Sequence, residues 1–98
     1  MDLVILTPED VTATYQAGML TIEAAGHEDG VTDIGIVSAD EEPAGPPVFR
    51  VQGQQSPAIG YFPYRVDATF PMPRDPHEIA IESPSGTTKV SVRSLTTR

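Results

Sequence analysis

Every second residue from Phe62 to Phe70 is apolar: Phe62, Tyr64, Val66, Ala68 and Phe70, with Pro63, Arg65, Asp67 and Thr69 between them. Successive side chains of a strand point to opposite faces, so this alternation predicts a half-buried strand over Tyr61–Phe70 with the five even residues in a core. Pro63 has no N–H for a ladder, which places its end of the strand at a sheet edge or a bulge. A proline there blocks the addition of a further strand. The same period recurs in shorter pieces. Leu3–Leu6 is an apolar run closed by Thr7-Pro8. Val11, Ala13 and Tyr15 form one alternating set and Leu20, Ile22 and Ala24 another, joined by an Ala17-Gly18 turn into a hairpin. Thr32–Ser38, Val48–Gln52, Glu78–Glu82 and Thr87–Leu95 supply the rest. In Val48–Gln52 the parity leaves open whether Val48 or the Phe49/Val51 pair faces inward. Ser83-Pro84-Ser85-Gly86 is a tight turn.

Two polar stretches separate these strands. Gly26–Gly30 reads as a loop carrying His27, Glu28 and Asp29. Ala39–Pro47 combines the acids Asp40, Glu41 and Glu42 with three prolines and reads as a stiff exposed loop where the chain crosses between sheets. No segment has helical periodicity. Seven or eight short strands punctuated by Gly and Pro, in one domain of 98 residues, predict an all-β, antiparallel β-sandwich of immunoglobulin-like or fibronectin-III-like type. A small β-barrel or jelly roll is the alternative.

Charge sharpens the functional reading. Up to Phe49 the chain holds ten acids and no Lys or Arg, and from Arg50 onward four acids and six bases, for a net charge of −8. Such a surface repels nucleic-acid phosphates and anionic membranes, and it suits a protein partner with a basic surface. The absence of cysteine excludes disulfides, thiolate metal sites and cysteine nucleophiles. Met1–Leu6 lacks a basic n-region and has a short apolar run, so the expected location is cytoplasmic, without a signal peptide.

Candidate chemistry is sparse. No G-x-S-x-G and no glycine-rich phosphate loop is present. His27, Glu28 and Asp29 have metal-ligand chemistry but no spaced further ligand. His77, at the start of a strand and in phase with Ile79 and Ile81, reads as a partly buried structural residue. The expectation is therefore a cofactor-free, non-catalytic interaction or accessory module, acting on a protein partner or through self-association. Its contact residues would be Glu28, Asp29, Asp40, Glu41, Glu42, Tyr61 and Arg65. The alternatives are a metal-binding or hydrolytic protein using His27 and His77, and a structural subunit of a larger assembly.

The stretch EIAIESPSGTTKVSV, Glu78–Val92, resembles the strand–SPSGT–strand hairpin of the P domain attached to proprotein convertases and some bacterial peptidases. The resemblance covers this hairpin alone. It implies a β-sandwich accessory module and carries no functional residue to this chain.

Overall fold

A computed structural model describes residues 3–39, 46–56 and 60–95. Eight strands follow one another: β1 (Leu3–Ile5), β2 (Asp10–Gln16), β3 (Met19–Asp29), β4 (Val31–Ser38), β5 (Val48–Gln55), β6 (Tyr61–Pro71), β7 (Glu78–Ser83) and β8 (Gly86–Ser94). There is no helix among the described residues, and hence none long and apolar enough to cross a membrane.

The strands form one open, mixed sheet. From β6 the order runs through β3, β2, β8 and β7 to β5, and β4 pairs with β5. β1 pairs with the second half of β5 and β7 with the first. Two neighbouring pairs, β2–β8 and β5–β7, are parallel. The expected purely antiparallel order is thus corrected, and so is the separation into two sheets. β8 lies against β7 at its start and against β2 at its end, so its hydrogen bonds carry the sheet from one half to the other. The immunoglobulin-like strand arrangement does not follow from this pairing. Neither does a closed barrel, because no ladder joins β4 to β6 among the described residues.

The halves also meet at Gly30. Its φ of 71° is cheap for glycine and turns the end of β3 directly into β4, which leaves β3's partners for β5. The crossing expected at Ala39–Pro47 is therefore misplaced. That segment joins β4 to its own neighbour β5, and Ala39 N–H donates to the Val48 carbonyl at 2.7 Å. Curling of the sheet brings Phe49 of β5 against Phe70 of β6, with ring centroids 4.8 Å apart. The largest fully buried side chains are Phe49, Leu20, Ile22, Ile79 and Val51. Phe49 and Val51 face inward, which resolves the parity of β5.

β6 keeps the predicted parity, but of its five inward residues only Tyr64 is fully buried. The reason is its place in the sheet. It pairs with β3 alone, over eleven consecutive residues and without a bulge. The Ala17-Gly18 turn closes on the Gln16–Met19 pair, so the odd residues of β3 bond β2 and the even ones bond β6. The even residues of β6 therefore bond β3, as Met72 N–H does in continuing the pattern to the Gly18 carbonyl at 2.8 Å. The odd positions face the free edge, and Pro63 and Pro71 both stand there, where an N–H is not needed.

Candidate functional site

The four described residues among the expected contacts meet at one end of the β3–β6 ladder. Asp29 pairs with Tyr61, Glu28 with Phe62, His27 with Pro63 and Ala25 with Arg65. By alternation, Ala25, His27, Tyr61, Pro63 and Arg65 lie on the outer face. His27-Glu28-Asp29 is therefore strand and not the expected loop: the ladder with β6 absorbs the whole stretch. Asp40, Glu41 and Glu42 lie outside the described residues.

Glu9 completes the site. Its N–H donates to the Ala25 carbonyl at 2.9 Å, which draws the β1–β2 connection over the end of β3. Its Oε2 then lies 3.0 Å from His27 Nδ1. With Glu9 at the edge of the His27 ring, a face of that ring is available to Tyr61, whose ring lies nearly parallel to it, with centroids 5.6 Å apart and planes 9° apart. Tyr61 is nevertheless 70% exposed. The result is an aromatic shelf held flat by a histidine that is itself held by a carboxylate. Beside it, Glu9, Asp10, His27, Pro63 and Arg65 line an open hollow of about 380 Å³. Arg65 faces the small side chain of Ala25 and forms no ion pair with a described residue.

Tyr64 lies on the inward side of the same end. Its ring covers Gly26 across the ladder so closely that a Cβ at Gly26 would stand 2.9 Å from the hydroxyl. Gly26 and Tyr64 thus fit as a pair, the ring filling the space glycine leaves. The side chain is buried, and its hydroxyl has no hydrogen-bond partner among the described residues. Burial, followed by the negative charges of Glu28 and Glu9, pushes its pKa up to about 12. The group is neutral at physiological pH and offers no base.

Below the unfolded pKa of about 10, both states hold the proton and Tyr64 adds no pH dependence. As pH rises from about 10 toward about 12, only the unfolded chain releases it, so stability falls by up to about 1.4 kcal/mol per pH unit. Tyr64→Phe lacks this alkaline loss. At neutral pH it is as stable as the parent or about 1 kcal/mol more stable, because an unpaired buried hydroxyl is removed. Urea unfolding of both proteins at pH 7 and through the alkaline range measures the difference. A clear destabilisation of Tyr64→Phe at pH 7 would show that the hydroxyl is bonded.

His77 is no part of this site. It adopts φ 63°, its N–H donates to Asp75 Oδ1 at 2.8 Å, and its side chain is 84% exposed. The expected partial burial is corrected: the Asp75 turn swings the residue off the strand before β7 begins. His27 and His77 each lie beside a different carboxylate, Glu9 and Asp75, and share none. No group of three or more His, Asp or Glu side chains suited to a metal occurs among the described residues. Glu9 and Asp10 are the site residues that sequence reasoning missed. They follow Pro8 in what reads as a loop, and nothing local signals that Glu9 meets a histidine eighteen positions on.

The chain matches no protein-family model, no curated protein and no solved structure.

Proposed function

We propose that the chain is a non-catalytic binding module whose contact surface is the outer face at the Tyr61 end of β3–β6. The partner is a protein segment that presents a Lys or Arg side chain. The observation that carries this reading is the Tyr61 ring, exposed yet fixed flat against His27. An exposed aromatic face attracts a cation, and one held in advance loses little freedom on binding. Asp29 pairs with Tyr61 and shares its face, while Glu28 points to the other side, and Glu9 and Asp10 border the adjoining hollow, so carboxylates of Asp29, Glu9 and Asp10 stand ready for the same cation. The chain's net charge of −8 steers a basic partner toward it. Arg65, farther along the strand, repels a second cation and so orients the segment.

The test is an NMR titration with acetyl-Gly-Arg-Gly-Arg-Gly-amide, with the glutamate counterpart as control. The arginine peptide shifts the Tyr61 and His27 resonances, and the effect weakens at high salt. Tyr61→Ala weakens binding by about tenfold, the loss of roughly 1.4 kcal/mol, while Tyr61→Phe retains it because the ring face remains. Equal response to both peptides, or shifts indifferent to salt, would refute the reading.

A further inference from the structure

β2 and β8 are hydrogen-bonded only from Ala13–Val92 to Tyr15–Ser94. Toward the start of each strand the two part. Between them opens a wedge of about 300 Å³, with Glu9, Asp10 and Val11 on one wall, Thr88 and Val90 on the other, and Ile81 of β7 between.

The backbone on both walls points into this wedge. The Pro84-Ser85 turn closes on the Ser83–Gly86 pair, so Gly86, Thr88 and Val90 bond β7. Val92 N–H continues that series to the His77 carbonyl at 2.9 Å. Thr87 and Lys89 must then turn their N–H and C=O groups the other way, toward the wedge. Across it, the even residues of β2 bond β3 and the odd ones face β8, as the Leu95 N–H to Tyr15 carbonyl bond of 2.8 Å confirms. Val11 is the odd residue left where the strands have parted. These groups have no ladder partner among the described residues.

Proteins ordinarily obstruct a free strand edge. The other edges here are obstructed. β6 has Pro63 and Pro71 at its outward positions, β4 is bulged between Thr32 and Gly35 with Asp33 at φ 54°, and β1 is three residues long. Pro8 lines the wedge just before β2 begins, but neither β2 nor β8 carries a proline or a bulge, and Thr and Val, residues suited to strands, stand along β8.

We propose that the wedge accepts an extended segment of a partner protein. The segment pairs with Thr87 and Lys89 of β8, seats an apolar side chain on Val11, Ile81 and Val90, and sets a Lys or Arg against Glu9 and Asp10. Strand addition draws affinity from main-chain bonds and specificity from alternate side chains. The carboxylate wall and the net charge of −8 select a cationic segment over a second copy of this chain. The wedge shares Glu9 and Asp10 with the hollow beside Tyr61 but not the aromatic shelf, and its test reads main-chain amides of β2 and β8 that the shelf does not touch.

The probe is acetyl-Thr-Val-Lys-Val-Thr-amide, and the readout is amide hydrogen exchange of the full chain. Exchange at Thr87, Lys89 and Val11 slows by about tenfold or more with the peptide. It does not slow with a peptide N-methylated at alternate amides, and it slows less with Glu in place of Lys. Lys89→Pro abolishes the protection, since it removes an N–H that faces the wedge and spares the β7 ladder; Lys89→Ala keeps it. Tyr61→Ala leaves it unchanged. Absence of protection at these amides overturns the proposal, and so does equal protection by the N-methylated peptide. Protection that appears without peptide and grows with protein concentration also overturns it, by making a second copy the occupant.

Discussion

Phe49→Ala lowers the unfolding free energy by about 3–5 kcal/mol, a large share of what a domain of this size possesses. Phe49 is 1% exposed and is the largest of the fully buried side chains. Its removal leaves a cavity that its neighbours cannot easily close. The backbone of β5 is held on both sides, by Ser38 of β4 and Ile81 of β7 at the level of Phe49 itself. The ring also spans the curl. β5 and β6 lie far apart in the order of the sheet, and the tilted contact of Phe49 with Phe70, at 4.8 Å and 44°, joins them. Urea unfolding of Phe49→Ala, Phe70→Ala and the double variant separates the two effects. The cycle should give a coupling of about 0.5–1.5 kcal/mol, the range for aromatic pairs. Strict additivity would mean that the rings touch without holding the curl.

The facing of Phe49 was left open by the parity of its own strand, but much of the rest of the core was legible in the sequence. Period-two alternation marks which residues share a face, and it placed Leu20, Ile22, Tyr64, Ile79 and Ile81 inward, as found. Gly, Pro and short polar turns marked most boundaries, and the Ala17-Gly18 and Pro84-Ser85 hairpins stand where they were read. Partner choice is a different kind of information. Nothing in Thr87–Leu95 shows that its start bonds β7 and its end bonds β2, because a strand's pattern records burial and not the neighbour that provides it. The polar run His27-Glu28-Asp29 misleads for a related reason. An outer-face strand at the end of an open sheet buries little, so its composition resembles that of a loop.

The candidate site was legible in part. Tyr61 and Arg65 were found by parity, and Glu28 and Asp29 by charge. What the sequence withheld is their arrangement: Glu9 beside His27, and His27 stacked with Tyr61. The Glu9–His27 contact depends on the β2–β3 ladder, which Glu9 extends by its bond to Ala25, and the His27–Tyr61 contact on the register set by eleven consecutive pairs between β3 and β6.

Gly53→Ala costs about 3 kcal/mol, at the upper end for overpacking, although only one methyl group is added. The cause lies in the strand opposite. Thr32 of β4 pairs with Gln54 and Gly35 with Gln52, so Asp33 and Ile34 together oppose the single residue Gly53. The extra residue arches β4 at a bulge, with Asp33 at φ 54°. A Cβ at Gly53 would stand 2.5 Å from Val31 Cγ1, 3.0 Å from Ile34 Cγ1 and 2.9 Å from the Thr32 carbonyl oxygen. Val31 is buried and β-branched, with little rotamer freedom to yield, and the Thr32 oxygen is backbone and yields only if the bulge moves. On its other side Gly53 pairs with Val4 of β1, so β5 cannot simply retreat. Gly35 is the matched control: it lies beside the same bulge, a Cβ there meets nothing within 4 Å, and its φ is outside the left-handed region. Gly35→Ala should therefore be neutral or stabilising by up to about 1 kcal/mol, through the lower entropy of its unfolded chain. Denaturation midpoints of the two variants decide the matter. A Gly53→Ala protein as stable as the Gly35→Ala protein would mean that β4 does not arch over β5 at this bulge.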